Sequence, residues 1–290
     1  MVHTLRQTSG TTLTSRENWG TLFLILPALV FIASWFLIPL GQLFALSLSS
    51  EAGPLASYAE LIGSSVFRRV FVNTMVLACI VTIICVVLAY PTAYLLTKLR
   101  GFWFSVALYC VLVPFWISVL VRTFSWMLLL ERNGPINSFL MYSGITTSPI
   151  NMLFNNFSVY LGMVHVLLPY AIFPMYSSML RVDNRLLQAS EGLGARGTTT
   201  FLRVYLPLTM PGVLAGGAFV LLLALGFYIT PTLLGGLQNL TAAMLIDNFV
   251  NERLVWPLAA AASFILLGLV LGILALASKF LSLGSLVGMR

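Results

Sequence analysis

The chain has 290 residues, of which 59% are hydrophobic and only 8% charged, with a mean hydropathy of +0.99 and a formal net charge of +7. A soluble protein carries about 25% charged residues, so this composition excludes a water-soluble globular domain and places the chain in a bilayer. No basic patch on a soluble face is visible, which argues against a nucleic-acid partner. The surplus of Lys and Arg is instead read by position, because cationic loops orient membrane proteins.

A polar tail of residues 1–20 opens the sequence and carries Arg6 and Arg16. The uncharged stretch that follows, Trp19–Ser50, far exceeds the core of a cleaved signal sequence and is read as a retained first span. A span needs about 20 mainly apolar residues. Six segments qualify: Thr21–Leu43, Val70–Thr97, Phe102–Leu129, Phe157–Leu180, Met210–Leu234 and Leu254–Ser278. None contains Asp or Glu, and Arg122 and His165 are their only ionisable groups apart from Cys and Tyr. The expectation is an all-α integral membrane protein forming one membrane domain over residues 1–290.

Cys79, Cys85 and Cys110 lie within apolar runs without metal spacing and are read as buried packing residues. Between spans, Glu51–Arg69 and Glu131–Asn156 are rich in Ser, Asn, Gly and Pro, and Asn133-Gly134-Pro135 is expected to stop a helix. With the N-terminus in the cytoplasm, the inner segments hold Arg6, Arg16, Lys98, Arg100, Arg181, Arg185, Arg196, Arg203, Lys279 and Arg290. The outer ones hold only Arg68, Arg69, Arg132 and Arg253. This asymmetry favours both termini inside.

The segment 182–209 between the fourth and fifth spans then faces the cytoplasm. Asp183 and Asn184 are good N-caps for a short helix, and Gly194 suits the left-handed position that ends it. Thr198 is expected to cap a second helix, Thr199–Leu206, which Pro207 breaks before the next span. Two short helices with a bend result, either a surface-lying cationic loop or a docking element for a cytosolic partner. Further on, "IDNFVNERLVWP" is expected to form a short interfacial helix, with Trp256 at headgroup level.

Four side chains in or beside the spans stand out as candidates for a passage or gate: Trp116, Arg122, His165 and Tyr170. His165, four residues before Pro169, is either a functional ionisable group or a neutral imidazole bonded to a neighbouring helix, such as a carbonyl freed by the proline. Arg122, about 20 residues along its span, is expected near the outer surface, where it either snorkels to headgroups or guards a pore mouth. Glu131 lies nine residues further on, beyond one-turn pairing distance. The aromatic residues around these positions serve packing or, in one or two cases, a cation passage.

Gln188-Ala189-Ser190, three residues, Gly194, nine residues, and Val204-Tyr205-Leu206-Pro207 resemble a motif of the permease subunits of ABC importers. Its form there is E-A-A, three residues, Gly, nine residues, I-x-L-P. "LVPFWISVLVRTFSWMLLLERNGPINSFL", "VHVLLPYAIFPMYSSMLRVDNRLLQASEGLGA" and "LPLTMPGVLAG" are similar to the spermidine/putrescine branch of that family. The resemblance implies a type I importer fold of six transmembrane helices, N-in and C-in, in a bacterial inner membrane. It implies a second related permease, an ATPase dimer, and a periplasmic binding protein that delivers a polyamine. Gln188, Ala189, Ser190, Gly194, Val204, Leu206 and Pro207 then belong to the ATPase-coupling loop. Asp247 and Glu252 lie outside, near the mouth, and are either part of a solvated loop or in contact with the binding protein. Gln188 stands where the motif has Glu, which removes an exposed charge of small energetic weight.

The sequence carries no G-x-x-x-x-G-K-[ST] motif, metal cluster or nucleophile–base pair, so no cofactor and no catalysis are expected in this chain. An ion-coupled carrier is the competing reading, and His165 would have to sustain it without any carboxylate in the spans.

Overall fold

The computed structural model describes residues 15–287, so most of the 1–20 tail and Arg290 lie outside the described residues. The described chain is built of helices and contains no strand. In order these are α1 (Ser15–Ser47), α2 (Ala56–Gly63), α3 (Ser65–Lys98), α4 (Gly101–Trp116), α5 (Val119–Leu130), α6 (Pro135–Tyr142) and α7 (Asn156–Leu180). They are followed by α8 (Asn184–Gly192), α9 (Gly197–Thr200), α10 (Leu206–Leu225), α11 (Ile229–Leu234), α12 (Ala242–Asp247) and α13 (Trp256–Val287). Five helical runs are long and apolar enough to cross a membrane, and the bent pair α4–α5 makes a sixth.

Helices α3, α7 and α10 form the centre, with Val81, Cys85, Ala89, Met163, Leu167, Met175 and Val220 buried between them. Small residues let α10 approach α7 closely. A side chain at Gly216 would start 2.8 Å from the Ala171 carbonyl oxygen, so the two backbones meet there. This is the small-residue packing by which helices associate in lipid, where apolar burial supplies little drive. Pro169 and Pro174 sit inside α7 without ending it, as membrane helices allow. Helix α1 packs on α13, and its last residue, Ser47, is buried against Tyr58 of α2 at 2.8 Å, while Leu29–Ile32 and Trp35–Ile38 stand exposed on the single chain.

At about 1.5 Å per residue, the 34 residues of α3 span roughly 50 Å, more than a bilayer core. One end of α3 carries Tyr94 and Lys98 and meets α8 and α9. The opposite end carries Arg69 and Asn73 and meets the segment after α11. Two sites roughly 40 Å apart are thus joined by one continuous helix.

The structure corrects several expectations. The third span is not one helix over Phe102–Leu129. It breaks at Ile117 and Ser118, both with extended ψ, and the run Val119–Tyr142 that follows is bent by 101° from Gly101–Trp116. Pro114 leaves the α4 ladder short of a donor one turn earlier, and α5 is fastened sideways onto other helices. The fifth span ends at Leu225 rather than Leu234, because Gly226–Tyr228 turn the chain into the separate α11. Pro207 does not break the helix before it: α9, a π turn at Phe201–Tyr205 and α10 run on as one helix from Gly197 to Leu225. The wide π turn, closed by Leu206 N–H on the Phe201 carbonyl, makes room for the proline ring at the start of α10. Arg196, not Thr198, is the N-cap of α9. Of the cysteines only Cys85 is buried; Cys79 and Cys110 are exposed on the single chain.

Candidate functional site

The conspicuous polar element at the α8 end is assembled by local hydrogen bonds. Asp183 is the N-cap of α8, and its Oδ1 accepts from the Arg185 N–H at 2.8 Å. At the other end Gly194 takes φ +88°, the left-handed conformation that strains any residue with a Cβ. Gly194 N–H donates to the Glu191 carbonyl at 2.9 Å and Ala195 N–H to the Ser190 carbonyl at 3.2 Å. This paired closure satisfies the carbonyls left free at a helix C-terminus. Ser190 Oγ lies 3.1 Å from Thr200 Oγ1, a hydroxyl pair that ties α8 to α9.

This element presents outward Arg185, Gln188, Ala189 and Glu191 together with a pair of leucines. Leu186 is exposed, and Leu193, at the tip before Gly194, is 91% exposed. The element is seated on an aromatic cluster: Tyr94 packs edge-on against Tyr205 at 5.5 Å, Phe201 stacks on Tyr205 at 5.8 Å, and Lys98 Nζ lies over the Tyr94 ring at 5.2 Å. Tyr90 Oη meets Thr209 Oγ1 at 3.0 Å. Val204 and Leu206 are half-buried beside this seat, and Pro207 is exposed. The sequence reading missed the seat because Tyr90, Tyr94, Phe201 and Tyr205 come from segments more than a hundred residues apart.

The second candidate place lies at the break of the third span. A cavity of about 360 Å³ is lined by Phe115, Trp116, Ser118, Val119, Arg122 and Tyr170, among others. Three of the four passage candidates, Trp116, Arg122 and Tyr170, therefore meet in one place. Trp116 is 88% exposed, whereas Arg122 is only 8% exposed, and its Nε is enclosed without a hydrogen-bond partner among the described residues. The expectation that Arg122 sits 20 residues up a straight span fails: it is the fourth residue of the turned-aside α5, facing α7.

His165 stands beside this cavity rather than in its lining. Its Nδ1 accepts from Trp126 Nε1 at 2.9 Å, with the rings edge-to-face at 5.7 Å. The bond goes to a neighbouring helix, as one reading held, but to an indole rather than a carbonyl. Thr123 Oγ1 meets Thr230 Oγ1 at 3.1 Å. These two bonds pin α5 to α7 and α11 and hold the break open.

At the far end of α3, Asn73 Nδ2 donates to the Leu240 carbonyl at 2.9 Å, and Thr74 Oγ1 accepts from the Ala242 N–H at 2.8 Å. Arg69, Asn73, Gln238 and Leu240 border a cavity of about 500 Å³ there. Asp247 follows, its carboxylate accepting from Tyr228 Oη at 2.9 Å and Asn251 Nδ2 at 2.6 Å. That carboxylate holds the Tyr228 phenol above the ordinary tyrosine range. Glu252 accepts from Asn248 one turn away. Both acids are thus engaged with neighbours on their own rim, and neither enters the cavity at the break.

The helix order and the broken third span define a class. The fold is that of a bacterial ABC transporter involved in the import of the acidic polysaccharide alginate: TM-score 0.75 at 16% identity, covering 92% of this chain and 96% of that one. No protein-family model matches the sequence. PotB, the spermidine/putrescine transport system permease protein of Salmonella typhimurium strain LT2, is 37% identical over 269 residues, covering 91% of this chain and 92% of the relative. PotB of Escherichia coli K12 is 36% identical over 269 residues, covering 91% and 96%. The chain belongs to the family of these PotB permeases. It is a multi-pass inner-membrane protein, and its role is transport.

Proposed function

We infer that this chain is one of two related permease subunits of an ATP-driven importer whose solute is a polyamine, spermidine or putrescine. The observation that carries the solute is the 36–37% identity to PotB over 91% of the chain. Both termini lie in the cytoplasm in this reading, which the charge asymmetry supports. Lys98 shares the α8 end with Glu191 and Thr200, which supports putting the end of the second span and residues 182–209 on one side.

Residues 182–209 are the coupling loop. Exposed Leu186, Gln188, Ala189 and Leu193 meet an ATPase dimer, and Gly194 fixes the angle between α8 and α9. The helix Gly197–Leu225 carries motion of the loop into the centre of the bundle without a joint. The passage runs by the break of the third span, past Trp116, Arg122 and Tyr170, while His165 holds Trp126 and so positions α5. Asp247 and Glu252 lie on the rim that receives a periplasmic binding protein. The chain itself binds no nucleotide.

The test is uptake of labelled spermidine and putrescine in cells lacking this gene and in cells with it restored. Uptake that falls on deletion, returns on restoration and is blocked by vanadate is the expected result. Unchanged uptake in a strain without a second polyamine system overturns the polyamine assignment. Uptake abolished by an uncoupler but indifferent to ATP overturns the ATP-driven one.

A further inference from the structure

We propose that the cavity at the break of the third span is a carboxylate site, completed by an acidic side chain of the second permease subunit that pairs with Arg122. The inference rests on the two-permease reading above.

Several donors converge on this cavity. Ser118, Val119, Arg122 and Tyr170 all line it. Helix α5 has twelve residues, and its first N–H groups have no partners within the helix. Ser118 is its N-cap yet makes no side-chain capping bond. The positive end of the helix dipole and a guanidinium are thus placed on the same space, the arrangement that suits an anion. The independent observation is Arg122 itself: a side chain more than nine-tenths buried whose Nε donates to nothing among the described residues. The rest of the guanidinium opens onto the cavity, and an intramembrane cation with an unbonded nitrogen calls for a counter-charge on that side. A carboxylate matches the guanidinium fork.

Among the described residues this chain does not supply the counter-charge: Glu51, Glu60, Glu131, Asp183, Glu191, Asp247 and Glu252 all lie outside the lining of the cavity. A polyamine has no anionic group to offer. Beside the cavity α4 has no buried residue, and Phe102, Trp103, Tyr109, Val113 and Trp116 stand exposed along it. In a bilayer such a face suits lipid tails and protein alike, so it is the unbonded guanidinium nitrogen that points to an acidic partner, since ionisable groups within membranes pair with one another. Pairing also removes the positive charge that would oppose a polycation at the passage.

The experiment uses the complete transporter, with both permeases, ATPase and binding protein. Arg122→Glu is expected to lower spermidine uptake by more than about tenfold, with Arg122→Lys retaining part of it. Each Asp or Glu in the spans of the second permease is then changed to Lys in the Arg122→Glu background, and one such change is expected to restore uptake. Because Arg122→Glu could prevent assembly, Arg122→Cys is also paired with Cys at each of those acids, in a background without Cys79, Cys85 and Cys110. A short bismaleimide should cross-link the two permeases at the same position, because an Arg–carboxylate pair holds its backbones farther apart than a disulfide spans.

No cross-link at any of these acids overturns the inference, as does full uptake by Arg122→Met. Loss of bound anionic lipid from purified Arg122→Met, with no rescuing or cross-linking acid, assigns the site to a lipid phosphate instead. Ornithine is putrescine bearing a carboxylate. Inhibition by ornithine that requires Arg122, again without a rescuing acid, assigns the site to the solute. If wild type restores no polyamine uptake at all, the solute reading fails, while the cross-link still decides the pair.

Discussion

The α8 element and the break between α4 and α5 are both polar interruptions in an oily chain, and they treat their polar groups in opposite ways. The α8 element closes on itself. Its N-cap is filled by Asp183, its C-terminal carbonyls by Gly194 and Ala195, and its seam by Ser190 and Thr200. The broken span leaves a buried guanidinium nitrogen open and a wide aromatic face uncovered. A self-satisfied element keeps its shape without a partner. An unsatisfied one awaits another molecule.

The largest expected effect breaks the first half of this contrast. Gly194→Val must place a β-branched residue at φ +88°. Space is not the obstacle, since nothing lies within 4 Å of the added carbon. The obstacle is the backbone, at about 1–3 kcal/mol, which corresponds to about five- to 150-fold in the population of the bent loop. Spermidine uptake should fall by about that factor while membrane insertion and pairing with the second permease persist. Gly194→Asn, which tolerates the left-handed region, should retain most of the activity. Equal loss in both variants would show that the turn is not what matters.

That Gly194 was legible in the sequence while the broken span was not follows from where each conformation is decided. The left-handed turn is chosen by residues within the turn itself, and glycine announces it. Ile117 and Ser118 announce nothing. The break depends on Thr230 and His165, which lie far along the chain and reach α5 only after folding. Pro207 shows the same limit from the other side. Its local preference is to break a helix, yet the π turn over Phe201–Tyr205, seated on Tyr94, absorbs it. Arg122 was found by its type, and its burial was hidden by the assumption of a straight span.

The second prediction sharpens the other half. Trp126→Phe deletes the donor to His165 and leaves the ring packing in place, removing one of the two bonds that fix α5. A loss of about 1 kcal/mol, or roughly fivefold in uptake, is expected. His165→Asn, whose side-chain oxygen lies near the Nδ1 position, should be milder than His165→Leu. If the leucine variant transports normally, α5 does not depend on this bond. A smaller effect is expected at the loop seam: Ser190→Ala removes the hydroxyl facing Thr200 and should change uptake by no more than about fivefold. Thr200 is buried at 4% exposure, so its hydroxyl loses a partner that water does not readily replace.

The smallest expected effect is at Gln188, and it separates shape from charge in the loop. Gln188 stands exposed on α8, beside Ala189 and one turn before Gly192, with no recorded hydrogen bond among the described residues holding its side chain. Gln188→Glu adds a carboxylate to a surface that already presents Leu186 and Leu193. An exposed ion pair contributes about 0–1 kcal/mol, so the apparent affinity for the ATPase should rise by less than about fivefold. That gain should vanish in high salt, since exposed charges are screened over about 10 Å at 0.1 M. A salt-resistant gain larger than this would mean that position 188 becomes buried against the ATPase. Docking would then depend on the charge at 188 as well as on the leucine knobs and the bend that presents them.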